Sequence, residues 1–428
     1  MKKLITLISI CFAIQVYSQI PEGYYSSAEG LSGTELKTAL YNIIKGHTQF
    51  PYTSSGTDVW DILKETDKDP NNPENVIQIY TGWSVNAAQE YNNGNGWERE
   101  HVWAKVHGGF DTNPPAGTDT HHLRPIDPSV NSARNSRYLA NCTQPYLDGG
   151  LYTGCFTGGS SSWVWKPRDE DKGDVARMIF YMATRYEGFN GEPDLEVIDY
   201  IPSNNNSPEP IMALLNDLLQ WNSEDPVDAW EQNRNNIIYY NFQNNRNPYI
   251  DHPEFVTQVW GEPIYYFTIT VIQHSNGYIS PATISIPENS SQIFTITPNS
   301  GYKIETATYN ETDITGELID NGNYSTYEVS DISVNGTLTA TYSLSLNDKL
   351  IKNKFEVFPN PANNFITVNC SSNENSEIQI FNILGIKVFD TTTTDFPEEI
   401  NISDFSSGIY YLKIIQNNKF IDTKFVKK

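Results

Sequence analysis

Residues 97–137 constrain this chain more than any other stretch: W-E-R-E-H-V-W, then D-T-H-H-L-R-P, then D-P-S-V-N-S-A-R-N-S-R. Four of the chain's seven histidines (His101, His107, His121 and His122) fall here within 22 residues. Beside them stand Glu100, Asn131 and the basic residues Arg99, Lys105, Arg124, Arg134 and Arg137. Glu100–Ala104 reads as a short strand. Asp127-Pro128 reads as a helix start, with aspartate as cap and proline in the first turn. Asn131 then shares a helix face with Arg134 and Asn135, at i, i+3 and i+4. One acid, one amide, candidate proton-transfer groups and guanidiniums point to metal-assisted cleavage of a phosphodiester.

The remaining sequence says where such chemistry would take place. Met1-Lys2-Lys3, the apolar run Leu4–Val16 and Tyr17-Ser18 read as a secretory leader over residues 1–18. The run is too short to span a bilayer, and no second run is long enough to be a transmembrane segment. The expectation is an exported protein without a membrane span. The chain has 52 acidic and 28 basic residues, a formal charge of −24. That excludes a protein holding nucleic acid through a broad basic surface. The motif segment is locally neutral, with five acids against its five bases, so contact with nucleic acid is expected to be local and cation-dependent. Of four cysteines, Cys11 falls in the leader, while Cys142 and Cys155 are close enough to form a disulfide in an oxidising compartment. The competing reading is a zinc site of His121, His122, Cys142 and Cys155, which lacks the Cys-x-x-Cys spacing of structural zinc.

Three blocks follow the leader. Residues 19–262 mix helical and irregular stretches. Ser32-Gly33-Thr34-Glu35 reads as a capping box before Leu36, Leu40, Ile43 and Ile44. Val76–Tyr80 reads as a strand. Val175, Met178, Ile179 and Met182 mark an amphipathic helix, and Met212–Trp221 and Val227–Phe242 two more. Residues 265–346 alternate and turn at Asn276-Gly277 and Asn299-Ser300-Gly301, as an all-β module does. N-G-Y-I-S-P and F-T-I-T-P-N-S-G-Y-K-I resemble internalin-type β repeats, here a spacer. Residues 349–428 alternate again and predict a β-sandwich. Their V-F-P-N-P-A, I-L-G and G-I-Y-Y-L closely resemble the C-terminal sorting domain of type IX secretion cargo. That resemblance implies the type IX secretion machinery as a partner and a secreted or cell-surface location.

R-E-H-V-W, T-D-T-H-H-L-R-P and V-N-S-A-R-N-S resemble the secreted bacterial endonuclease I family, a ββα-metal nuclease group. Pro167–Tyr186 and Gln243–Glu254 extend the likeness over most of 19–262. The fold expected is therefore α+β: a ββα-metal nuclease core within a mainly helical domain, followed by two all-β modules. The resemblance assigns His101 as general base and Glu100 and Asn131 as metal ligands. It implies products with 5′-phosphate and 3′-hydroxyl ends. The expected ion is Mg²⁺, with Mn²⁺ or Ca²⁺ as alternatives, since a hard cation prefers oxygen donors and keeps several waters. Arg134 is the first choice for gripping phosphate and Arg99 the second.

Adjacent residues on a regular strand face opposite ways. Glu100 and His101 can therefore serve one site only at a strand edge or end, or through a distortion, and a distortion is expected. His121 is expected to brace the fold, and His47 and His107 to lie on the surface. His252 is expected to brace a helix-end turn. Asp169, Glu170, Asp171 and Asp174 read as an acidic helix start rather than a second cation site. The function expected is a secreted, metal-dependent endonuclease acting on DNA, with RNA as a further substrate, working as a monomer. The alternatives are a zinc-dependent hydrolase using the histidine cluster and a non-catalytic surface protein that binds nucleic acid.

Overall fold

A computed structural model describes residues 20–157, 163–345, 355–370, 374–416 and 419–428. The leader expected over 1–18 lies outside the described residues. The chain divides into two compact units, residues 1–266 and 267–428.

The first unit opens with helix α1, Gly33–Ile44, which buries Leu36, Leu40, Tyr41 and Ile44. Ser32 sits at its N-cap, but its side chain makes no capping hydrogen bond. The capping box is instead at α2, Val59–Thr66, where Asp58 accepts from Trp60 and Asp61 and Asp61 reaches back. Strands β1 (Lys68–Asp69), β2 (Asn72–Ile77) and β3 (Ser84–Asn86) form a small antiparallel sheet. Strands β4 (Glu98–His101) and β5 (Leu123–Ile126) pair antiparallel, and helix α3 (Pro128–Arg134) follows directly. Asp127 caps α3 by accepting from the Ser129 and Val130 amides, with Pro128 in the first turn.

Strands β6 (Tyr138–Leu139), β7 (Pro145–Asp148), β8 (Leu151–Thr157) and β9 (Val164–Lys166) make a four-stranded sheet. The Cys142–Cys155 disulfide joins the run before β7 to β8. Replacing both cysteines by serine is expected to lower stability by about 3 kcal/mol, as for a closed loop of this size. A shift of the urea midpoint at unchanged slope would measure it.

Helix α4, Lys172–Arg185, is the centre of the unit. Its expected apolar stripe is there, but the other faces are covered as well, and every residue from Gly173 to Arg185 is buried. The buried arginines carry their own partners. Arg177 grips Glu231 through Nε at 2.8 Å and Nη2 at 2.5 Å, and Arg185 binds Glu192. A buried charge survives only when paired in this way. The acidic start is likewise engaged: Asp171 accepts from Arg168 and Asp174 from Arg124.

Strands β10 (Glu196–Ile198) and β11 (Ile211–Leu214) pair in parallel. Helices α5 (Leu215–Glu224), α6 (Ala229–Ile237), α7 (Pro248–Asp251) and α8 (Glu254–Trp260) complete the unit. The helix expected over 212–221 is thus a strand and then a helix. The one expected over 227–242 passes into a π-helical turn, Ile238–Gln243.

A mainly helical first domain is not supported, since helices and eleven short strands alternate through its described residues. Over the whole structure, the all-β modules included, helix makes up 25% and strand 35%. Strands of two to four residues, as β4, β5 and β6 are, show too little alternation to stand out beside long helical runs.

The second unit holds two cores. In residues 266–344, a five-stranded and a four-stranded sheet enclose Ile269, Phe294, Ile296, Leu338 and Ala340. The strands Tyr266–Ile272 and Gly336–Leu344 run parallel, while Gln292–Pro298 pairs antiparallel with Gly277–Ser280 and Ser325–Val329, and Tyr302–Tyr309 antiparallel with Gly336–Leu344. In residues 355–427, sheets of three and four antiparallel strands share Ile366, Val368, Ile378, Leu412 and Phe425. No described helix is long and apolar enough to cross a membrane.

Candidate active site

A cleft of about 780 Å³ is lined by all four residues of β4 (Glu98, Arg99, Glu100 and His101) together with Asn131 and Asn135 of the α3 segment. No residue of β5 lines it, and among the described residues β5 is the one strand paired with β4, so the cleft opens toward the other edge of β4. The β4–β5 ladder runs without a register shift from Glu98↔Ile126 to His101↔Leu123. The expected distortion is therefore absent. An open edge with His101 at the strand's end lets neighbours of opposite facing reach one cleft.

His101 is buried, and its Nε2 lies 3.0 Å from the Gly117 carbonyl oxygen. A carbonyl can only accept, so Nε2 carries the proton and Nδ1 keeps the lone pair. Burial, reinforced by His122, pushes the ring's pKa well below its ordinary value, so it is neutral at pH 7. His122 hydrogen-bonds the preceding carbonyl, Ala116, at 2.8 Å. One turn therefore receives both imidazoles.

Glu100 is also buried. Burial pushes its pKa up to about 7, and Arg134 and Tyr80 oppose the rise only in part. Tyr80 donates to Glu100 Oε1 at 3.3 Å from a backbone with φ +67, a conformation a bulky residue rarely holds. Arg134 Nε stands 3.0 Å from the same oxygen without a hydrogen bond, so this contact is an ion pair with the N–H turned aside.

Arg134 does not reach the cleft. It is fully buried, with Nη1 on the Asn135 carbonyl at 2.7 Å and Nη2 on the Val102 carbonyl at 2.6 Å. The shared helix face splits: Asn131 and Asn135 point to the cleft, and Arg134, one residue round the turn, points to the core. The phosphate grip read for Arg134 gives way to holding Glu100 in place. Arg99 does line the cleft. Its guanidinium lies between the Tyr52 ring, at 3.4 Å, and the Trp60 ring, at 4.0 Å, and donates to the Tyr52 carbonyl and Thr53 Oγ1. Lys105 is the more available cation, partly exposed on the cleft and 3.3 Å from Asp111.

The main omission from the sequence reading is Glu98. It lines the cleft, and its Oε2 accepts from Asn131 Nδ2 at 2.6 Å. The signal was available, since i and i+2 on a strand share a face. Two carboxylates and an amide are hard oxygen donors suited to a divalent cation. A buried Glu100 with a raised pKa is also the state a nearby cation would relieve. Among the described residues, no three His, Cys, Asp or Glu side chains gather closely enough to enclose a metal by themselves. The donor set is thus open rather than a closed cage.

His47, His107, His121 and His252 make contacts within the fold, away from the cleft. Cys142 and Cys155 are joined to each other, and His121 Nε2 is 3.1 Å from the Asn245 carbonyl, so the four-residue zinc site does not form. His47 and His107 are buried rather than on the surface. His107 lies between the carbonyls of Ser207 and Ser136, at 2.8 and 2.7 Å. His47 lies near Asp119, which accepts from Tyr181, Tyr186 and Gln243. His252, 3.0 Å from Glu254, closes the end of α7.

Residues 32–254 match the Endonuclease I family, and residues 356–428 match the secretion system C-terminal sorting domain. An extracellular ribonuclease of Bacillus amyloliquefaciens is 51% identical over 241 residues, 56% of this chain and 78% of that protein. An extracellular ribonuclease of Bacillus subtilis (strain 168) is 49% identical over 237 residues, 55% of this chain and 78% of that protein. The family is generally dependent on divalent metal. With just over half its length matched, this chain belongs to the Endonuclease I family, as a secreted or cell-surface nuclease with a type IX sorting domain.

Proposed function

We propose that the cleft hydrolyses internal phosphodiester bonds of both RNA and DNA, with one divalent cation, Mg²⁺ for preference. The observation that carries this is the meeting of His101, Glu98, Glu100 and Asn131 on the open edge of β4. Together β4, β5 and α3 serve as a ββα-metal unit. His101, fixed by Gly117 with Nδ1 unprotonated, takes a proton from the attacking water. Glu98, Glu100 and the Asn131 side chain would hold the cation. When bound, it offsets charge on the crowded phosphate and on the departing oxygen. Lys105 meets a phosphate oxygen at the rim. Arg99 stiffens the floor through its two aromatic neighbours. The products carry 5′-phosphate and 3′-hydroxyl ends.

A base that activates water needs no ribose 2′-hydroxyl, so the chemistry admits both sugars. The two relatives named extracellular ribonucleases support including RNA. The test is cleavage of matched single-stranded RNA and DNA and of plasmid by the full chain, with Mg²⁺ and with chelator. Both polymers should be cut with Mg²⁺ and neither with chelator. Cleavage of RNA alone, with a 2′,3′-cyclic end, would show that the 2′-hydroxyl is the nucleophile and overturn the proposal.

A further inference from the structure

Tyr91 also lines the cleft, and it differs from the other aromatic residues there. Trp60 is buried, and Arg99 covers faces of both Trp60 and Tyr52. Tyr91 is 55% exposed. Its backbone is held in an uncommon way, for Tyr91, Asn92 and Asn93 have successive φ of +48, +38 and +54. Side chains rarely adopt this left-handed region, and three in a row need outside support. The support comes from the residues just before β4: the Tyr91 amide donates to the Trp97 carbonyl at 2.9 Å, and Gly96 donates back to the Tyr91 carbonyl at 3.1 Å. Gly96 admits no side chain, since a Cβ would lie 1.7 Å from the Gln89 carbonyl oxygen. A large, flat, half-open ring is thus carried on the rim by a loop tied through its backbone to Gly96 and Trp97, just before the strand that carries Glu98.

We infer that Tyr91 is a nucleobase-stacking subsite that gives this nuclease a preference for single-stranded nucleic acid. The inference rests on the phosphodiester reading of the cleft. With a phosphate at the carboxylates, the flat apolar group within reach of the rim is the base of a neighbouring nucleotide. Stacking accepts every base, because every base has a π-face. Bases in a duplex are already stacked on each other and are not free to meet the ring.

The test uses the full chain and a single-stranded thymidine oligonucleotide about a dozen residues long. Tyr91→Ala should raise KM about tenfold with kcat changed less than threefold. Tyr91→Phe and Tyr91→Trp should keep the parental KM. Tyr91→Gly, which suits the positive φ, should match the alanine variant and so separates loss of the ring from loss of the loop. In the parent, one abasic position in the oligonucleotide should raise KM, and the Tyr91→Ala variant should not feel it. The penalty on a duplex of the same sequence should be about tenfold smaller. In a His101→Ala background, the same tenfold change should appear in Kd by fluorescence anisotropy. Equal KM in Tyr91→Ala and parent, or a phenylalanine variant as weak as alanine, overturns the stacking subsite while an inert His101→Ala leaves the catalytic reading standing. A His101→Ala variant that cuts as well as the parent overturns both.

Discussion

Replacing His101 by alanine is expected to lower kcat by a factor of about 10² to 10⁴, the usual range for a positioned general base. The fold should survive, since the ring's one fixed hydrogen bond is to the Gly117 carbonyl. Single-turnover cleavage of a labelled oligonucleotide, with circular dichroism alongside, measures both. His101→Asn is the sharper variant. Its side-chain amide can still donate toward Gly117 but has no basic nitrogen, so it should be as slow as alanine. An asparagine variant that keeps more than a tenth of the parental kcat would remove His101 from the proton transfer.

The second large effect is on stability. Arg134→Ala is expected to destabilise the protein by about 3–5 kcal/mol, because it strips the partner from a buried carboxylate. It also leaves the buried Val102 carbonyl without this donor, and removes a part-buried hydrogen bond to the Asn135 carbonyl. The measurement is chemical denaturation followed at several wavelengths. If Arg134 instead gripped substrate phosphate, the variant would unfold like the parent and show only a raised KM. Pairing the change with Glu100→Gln separates the two further. Neutralising Glu100 should recover part of the lost stability, although it would also remove a carboxylate from the cleft.

These two residues show what could be read from the chain and what could not. The Asp127 cap with Pro128 is local chemistry, and α3 begins there. The adjacency of Glu100 and His101 already required an edge, an end or a distortion, and the edge was among the three. Arg134 was misread because a helical face is broad: residues three and four apart are neighbours, yet one can face a cleft and the other the core. His107 was misread because its partner Ser207 lies 100 residues away. Burial of a polar ring is decided by such distant acceptors, and no local pattern announces them. Glu98 was missed although its spacing from Glu100 was plain. Its hydrogen bond to Asn131, 33 residues on, is what brings it into the cleft. The excess of helix expected in the first unit has the same root, since strands as short as β4 and β5 are made by their neighbours more than by their own alternation.

Gly117 lies outside the cleft and offers His101 only a carbonyl oxygen, yet it sets which nitrogen of that ring is free. A methyl group there would meet the Asp111 carbonyl oxygen at 2.5 Å and the backbone of Thr112 at under 3 Å. The turn would have to move, and the acceptor with it. Selection on catalysis in this protein therefore acts on a position that has no side chain, outside the residues a comparison of reactive groups would inspect. In a laboratory lineage evolved for faster turnover, residue 117 should stay fixed while exposed positions outside the cleft drift, a heritable constraint imposed by the space around one hydrogen atom.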